Sequence, residues 1–424
     1  MKKRLLLLSY YFPPDSIIGA ARPYRIANFF FERGWDVSIL ACDDGSVGKD
    51  PFYDVSHLSV ARVQISSLLR WINHAPKNDE SCLWKGKIYR AVRVFLRNIL
   101  WPEPFSLVCK FLEEKGDEVL SENRFDLILS TALPFSMHRT ARYLSERHGI
   151  PWVADNRDLW ATSPYRRLFI PRRYFDCIYE RAVLKDAVLV VGVSNAMVDH
   201  YVNAYGLKAS IRVMNGYDRR RARDDQHLQS LITCGAAPGK KTLEIIYAGG
   251  LYGGVRNPAP LLMAISQDKD LYECVKISFY GSENSCVNQW SREYPTCKID
   301  MFPRVSKSEL QVIYERASIF LVILGNKDFE NGVLTGKLFE YLPYGKPIIA
   351  IAPDFSELGK LVNGYGLGLA TRDPVKISEY LRGIIDGGES LIFDPPRELS
   401  SNYQIGLLYE RISTIMDNKL ICLS

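Results

Sequence analysis

The chain has 424 residues, of which 47% are apolar and 24% charged. That is enough apolar material for two cores at about 150 residues per domain, and it excludes a mostly disordered chain. Fifty-four Lys and Arg against 48 Asp and Glu leave a net charge of +6, too weak to imply nucleic acid but compatible with an anionic ligand or membrane surface. The nine cysteines are scattered without a C-x-x-C pair, which fits a reduced, cytosolic compartment rather than a disulfide framework.

The opening Met1-Lys-Lys-Arg-Leu imitates a signal peptide, but Pro13, Pro14 and Asp15 follow and no cleavage site does. Leu5–Leu8 reads as a buried first strand. No run approaches the roughly 18 apolar residues of a spanning helix. A helix over Arg22–Arg33, stopped by Gly34, leads to a strand at Asp36–Ala41. Further strands are expected at Phe125–Thr131, Trp152–Asp155 and Ala187–Val193. A second series follows at Leu243–Ala248, Val275–Tyr280, Lys298–Phe302, Ser318–Leu324, Pro347–Ile351 and Leu367–Ala370. Helices alternate with these strands, one opened by the capping box Ser306-Lys-Ser-Glu309. Such alternation marks βα units and parallel sheets. The expected organisation is an α/β chain of two doubly wound, Rossmann-like domains facing a cleft. The first covers 1–217, a polar, Arg-rich linker 218–241, the second domain 242–395, and a helical C-terminal segment, 396–424, returns to the first domain.

Four segments carry candidate chemistry. The loop after the first strand, Tyr10 to Arg22, holds Gly19, which admits close backbone approach, and Arg22, which suits a phosphate or carboxylate; a plain surface loop is the competing reading. Asp155-Asn-Arg157-Asp158-Leu-Trp160 follows a strand and reads either as a hydroxyl-binding cluster or as an internal salt-bridge network. His138, on the preceding helix, is a candidate for a substrate hydroxyl or a structural histidine. The run Ala248-Gly249-Gly250-Leu-Tyr-Gly253-Gly254-Val-Arg256-Asn-Pro258 packs four glycines into six residues, then an Arg and a helix start. It is not a Walker A loop, but it offers amides and charge to a diphosphate. In Thr335-Gly336-Lys337-Leu-Phe-Glu340-Tyr341, Lys337, Glu340 and Tyr341 share a helical face. The amine suits phosphates and the carboxylate suits paired hydroxyls; an exposed i,i+3 salt bridge is the alternative. Asn215-Gly-Tyr-Asp218 and Tyr280-Gly281-Ser282 read as turns first and ligand loops second. Asp268-Lys-Asp270 matches D-x-D at a polar helix end. The His, Cys and Asp spacings give no metal site, and there is no G-x-G-x-x-G or G-x-S-x-G.

Taken in order, Tyr11-Phe-Pro-Pro…Gly19-Ala-x-Arg22, Asp155-x-Arg-Asp-x-Trp160, Asn215-Gly-x-Asp218 and Gly336-Lys-Leu-Phe-Glu-Tyr341…Gly345-Lys-Pro347 resemble the GT-B glycosyltransferases of family 4, in their bacterial surface-polysaccharide branch. The resemblance covers most of the chain. It implies a nucleotide-sugar donor held by the second domain, with Arg256 and Lys337 neutralising the diphosphate and Glu340 on the ribose. It places Gly19, Arg22, Asn215, Gly249, Gly250, Gly281, Val305 and Leu338 around the donor, with His138, Asp155, Arg157 and Asp158 as acceptor or sugar candidates. It further implies a retaining, metal-independent transfer needing no cofactor, to a glycan or lipid-linked acceptor of cell-envelope synthesis such as lipopolysaccharide, O-antigen or capsule. The family's two-glutamate motif is incomplete: Gly332 stands eight positions before Glu340, and Glu330 lies two residues further back. Alternatives are a nucleotide-sugar epimerase of the same fold and a non-catalytic nucleotide-binding scaffold.

Leu83 to Trp101 interleaves five cations with large apolar groups. As a helix it aligns Ile88, Val92, Phe95 and Ile99, either for an anionic membrane interface or for packing on its own domain. Arg166, Arg167, Arg172 and Arg173 form a second basic patch. Both suit a peripheral contact at the cytosolic face of the inner membrane.

Overall fold

The computed structural model describes residues 2–15, 17–45, 48, 53–73, 91–96, 99–163, 166, 170–218, 242–387 and 392–421. Almost all of the expected linker, as well as residues 83–90, 97, 98 and Arg167, lies outside them. The chain divides into two compact units: one runs through Asn215 and resumes at Gln404, and the other spans Gly216–Tyr403.

The first unit holds a seven-stranded sheet of β1 (Arg4–Ser9), β2 (Asp36–Asp43), β3 (Ser59–Gln64), β4 (Leu127–Ala132), β5 (Trp152–Asn156), β6 (Leu189–Gly192) and β7 (Ser210–Arg212). Their order is β3-β2-β1-β4-β5-β6-β7, and every pairing is parallel. Leu5, Leu7, Leu127, Leu129 and Val153 cover one face and Leu6, Leu8, Ile128 and Ala154 the other, all fully buried. This two-sided burial explains the near-continuous apolar strands. The C-terminal helix, Ser401–Ile421, lays Ile405, Leu408 and Ile412 against the first of these faces. Its Tyr409 packs edge-on to Phe30, so the helix returns to the first unit as expected.

The second unit repeats the plan with β8 (Leu243–Ala248), β9 (Val275–Tyr280), β10 (Lys298–Phe302), β11 (Ile319–Ile323), β12 (Ile348–Ile351) and β13 (Gly368–Ala370). The order is β10-β9-β8-β11-β12-β13, again parallel throughout. Counted within each unit, both sheets run 3-2-1-4-5-6, the doubly wound Rossmann order, with a seventh strand added at the edge of the first. The strand order changes direction between β1 and β4 in the first unit and between β8 and β11 in the second, although the strands stay parallel. Ligands of such sheets bind beyond the strands' carboxyl ends at this switch point.

Two elements differ from expectation. The strand β3 carries no long apolar run. The first helix begins at Ile18 rather than Arg22, with no side-chain cap at its start. Pro23, sixth in the helix, withholds the i→i−4 bond from the Gly19 carbonyl, which accepts from Arg157 Nη1 at 2.9 Å instead.

Candidate functional site

At the second unit's switch point, β8 runs into the glycine loop and a short helix, Gly336–Tyr341, follows β11. Thr335 caps that helix, its Oγ1 accepting from the Lys337 amide at 3.4 Å. The helix grips the end of β8 twice. Lys337 Nζ donates to the Ala248 carbonyl, and the Ala248 N–H donates to the buried Tyr341 hydroxyl at 3.1 Å. Gly249, at φ 140°, lets the amine sit there, because a β-carbon would overlap it. Burial lowers the Lys337 pKa to about 8, with Glu340 pulling it up and Arg256 pushing it down. Two cations are therefore close enough to repel each other beside a strand end, where an anionic ligand relieves both costs. Arg256 stacks on Tyr252, 4.5 Å from the ring centroid, and bonds the Tyr247 hydroxyl.

Glu340 is exposed and accepts from Tyr314 Oη at 3.1 Å. Tyr341 departs from the expected shared face by turning fully into the core. Leu338 is also fully buried, so its side chain is unavailable to a donor. Glu330 is buried too, accepting from the Gly325 amide at 3.3 Å; it braces the loop after β11 instead of replacing the acid absent at Gly332. Gly281 lies at the end of β9 with φ 67° and faces Arg304, and Val305 is half-buried beside the capping box, which forms as expected. In the Gly345-Lys-Pro motif, Lys346 binds the carbonyls of Tyr314, Glu315 and Ala317 and so closes the helix Lys307–Arg316. Asp268 of the D-x-D match caps a helix and pairs with Arg382 at 2.5 Å.

In the first unit several expected ligand contacts are turned inward. Arg22 is 3% exposed and binds Asp155 with Nε and Nη2, and the carbonyls of Val213 and Met214. Asp155 is fully buried and also accepts from Thr131 at 3.0 Å. Burial would raise its pKa, but the Arg22 charge and these hydrogen bonds outweigh that and lower it. This pair is the internal salt-bridge network, not a phosphate or hydroxyl subsite. His138 is fully buried between Ser130 Oγ at 2.7 Å and Asn156 Oδ1 at 3.0 Å. Burial pushes its pKa down to about 4, so it stays neutral and structural.

Arg157 donates to the carbonyls of Ala132 (2.6 Å), Gly19 (2.9 Å) and Leu133 (3.4 Å). It thereby ties the start of the first helix to the end of β4 and the residue after it, across that sheet's switch point. A β-carbon at Gly19 would meet only ordinary contacts, the nearest at 3.4 Å, so packing does not demand glycine. Asp158 is exposed. Asn215 lends its carbonyl to Arg25 at 3.4 Å. The following Gly216–Asp218 docks on Leu399–Ser401, with Ser401 Oγ donating to Asp218 at 2.6 Å. Among the described residues no group of three or more His, Cys, Asp or Glu is placed to hold a metal ion, and no helix is long and apolar enough to cross a membrane.

One residue of the second unit escaped sequence reasoning. Glu283, after β9, accepts from the amides of Leu251 at 2.6 Å and Tyr252 at 3.0 Å. Nothing in its local sequence signals this, because the partners are about thirty positions away and meet only through the β8–β9 pairing.

Residues 20–216 match the family described as glycosyl transferase 4-like domain. No curated protein matches the sequence. Among solved structures, the chain is similar to sucrose-phosphate synthase from Thermosynechococcus elongatus, at 13% identity and TM-score 0.58, over 97% of this chain and 100% of that one. It is similar to the apo form of the lipopolysaccharide outer core galactosyltransferase WaaB, at 12% and 0.57 over 97% and 99%. A putative UDP-N-acetylglucosamine 2-epimerase from Listeria monocytogenes shares the fold at 9% and 0.54 over 99% and 98%. Two Rossmann-like units and these neighbours define the GT-B fold, and residues 20–216 carry the glycosyl transferase 4-like match. That match falls on the first unit, whose initial run ends at Asn215.

Proposed function

We propose that this protein is a glycosyltransferase that moves a sugar from a UDP- or GDP-linked donor to a lipid-linked or polysaccharide acceptor of the cell envelope, with retention at the anomeric carbon and without a metal. The observation that carries the donor half is the pair Lys337 and Arg256 at the second unit's switch point. When the anomeric bond breaks, the departing nucleoside diphosphate gains negative charge. Fixed cations there favour the transition state over the ground state. Hydrogen bonds to charged groups contribute about 1.5–3 kcal/mol each, so two of them account for several powers of ten in rate. Glu340, one turn further along the helix, takes the ribose hydroxyls. The backbones of Gly249, Gly250, Gly281, Val305 and Leu338 complete the donor contacts.

The acceptor half rests on the first unit. Asp158 is an exposed acid just after β5, and the segments tied by Arg157 border the sheet's switch point. Helical residues 91–96 and the segment after them leave Val92, Phe95, Ile99 and Trp101 exposed. The helix Ile170–Leu184 adds exposed Arg173, Tyr174, Phe175 and Ile178. The two stretches adjoin, since Trp101 Nε1 donates to Asp176 at 2.9 Å. This apolar, partly cationic surface suits a peripheral contact with an anionic membrane bearing the acceptor. Arg166 and Arg172 take no part, because they pair inward with Asp176. The similarity to the WaaB fold supports an envelope glycan as product. The epimerase reading needs both an acid and a base free in the site; of its candidates His138 and Asp158, His138 is sealed in the core and only Asp158 is exposed.

A thermal-shift screen against nucleotide sugars tests the donor reading. A bound donor raises Tm by mass action; no shift with any UDP- or GDP-sugar at millimolar concentration contradicts it.

A further inference from the structure

The glycine loop was expected to cradle a diphosphate with its amides, yet two of those amides are already spent on a carboxylate. Glu283 Oε2 accepts from Leu251 and Oε1 from Tyr252. Burial would raise the Glu283 pKa, but the amides of Leu251, Gly253 and Tyr252 lower it, so the group is anionic at neutral pH. Neighbouring bonds sew the same two loops together. Ser282 Oγ donates to the Gly249 carbonyl at 2.7 Å, and the Gly249 N–H donates to the Tyr280 carbonyl at 2.8 Å.

Beyond the clamped amides the backbone turns left-handed for three residues, at Tyr252 (φ 54°), Gly253 (φ 65°) and Gly254 (φ 86°). Tyr252 has a side chain, so it holds that conformation only under constraint. The turn ends on Arg256, whose amide donates to the Leu251 carbonyl at 3.1 Å and whose guanidinium stacks on Tyr252. The carboxylate therefore fixes the two residues against which Arg256 is set. Lys337 approaches the loop at Ala248 and Gly249, upstream of the clamped amides.

From this geometry we infer that Glu283 is a positioning residue for the donor site. It fills the loop's anion nest from within, locks the left-handed turn, and leaves recognition of the diphosphate to the side chains of Arg256 and Lys337. The inference rests on the donor-site reading above.

The experiment compares wild type, Glu283→Gln, Glu283→Ala, Arg256→Ala and the Glu283→Ala/Arg256→Ala double variant. UDP and GDP affinity is measured by calorimetry, amide exchange over 249–256 by mass spectrometry, and Tm by calorimetry. Glu283→Ala is expected to speed exchange at Leu251 and Tyr252 and to weaken binding of the preferred nucleotide about tenfold, with Glu283→Gln between it and wild type. In the Arg256→Ala background the Glu283 substitution should add less than about twofold, because the two act through one another. Additive losses, or unchanged affinity in Glu283→Ala, overturn the inference while leaving the donor site standing. A wild-type protein that binds neither nucleotide overturns the donor-site reading, and with it the role of Arg256. Protection of Leu251 and Tyr252 that persists in Glu283→Ala refutes the lock alone.

Discussion

Lys337 and Arg22 are both cations near carboxyl ends of strands, and their surroundings give them opposite duties. Arg22 has its charge answered by Asp155 within the fold. Removing one partner of a buried pair strands the other, so Arg22→Ala or Asp155→Ala should cost about 3–5 kcal/mol of stability. Thermal or urea unfolding will show it, and a normal Tm in either variant contradicts the structural role. Lys337 has a backbone carbonyl, the Tyr247 ring at 5.2 Å, an exposed Glu340 and a repelling Arg256 around it, and among the described residues no buried carboxylate pairs with it. Its substitution by Ala should lower kcat more than donor affinity, because the charge matters most as the leaving group departs; steady-state kinetics separate the two, and unchanged turnover removes the role. The pH dependence follows from its pKa of about 8. Below that value the free protein already carries the proton and binding involves none. Above it, binding the anionic nucleotide must take up a proton, so affinity should fall by up to about tenfold per pH unit. Calorimetry in buffers of different ionisation enthalpy should detect that uptake at pH 9 in wild type and not in Lys337→Met.

At the scale of elements, β8 and β9 begin and end where their apolar runs do, because a strand buried between helices has few other solutions. The strand β3 was missed: its sequence, Ser-Val-Ala-Arg-Val-Gln, lies at the sheet edge, and only Val63 is buried. The site divided along similar lines. Sequence pattern located Lys337, Glu340 and the glycine loop, since a helix start and glycines leave local signatures. It did not tell Arg22, Asp155 and His138 from ligand-binding groups, because burial depends on what the rest of the sheet lays over them. Nor did it find Glu283, whose partners come from another βα unit. The Asn215-Gly216 turn gained a packing reason. Gly216 has φ 67°, and a β-carbon there would strike the Ser401 backbone. Gly216→Ala should therefore detach the segment at 399–401 and lower Tm by several degrees, whereas Gly149→Ala, also left-handed but with open space around it, should cost less. Equal losses in the two variants contradict the packing argument.

At the scale of the whole molecule, one Rossmann plan is used twice with different outcomes. The first unit closes its switch point with an internal ion pair and an arginine strap. The second leaves a desolvated amine and a stacked guanidinium at its own. The first unit also carries the exposed apolar and cationic surface, so the intact protein should float with phosphatidylglycerol vesicles and not with neutral ones. Replacing Phe95, Ile99 and Phe175 by Ser should abolish flotation while leaving nucleotide binding intact; flotation unaffected by these changes rules that surface out. The donor site is tested most directly by a crystal structure of the protein with its preferred nucleoside diphosphate. The account predicts diphosphate oxygens within hydrogen-bonding distance, about 3 Å, of Lys337 Nζ and the Arg256 guanidinium, with the ribose at Glu340. A nucleotide bound elsewhere, with those three side chains left in solvent, would contradict it.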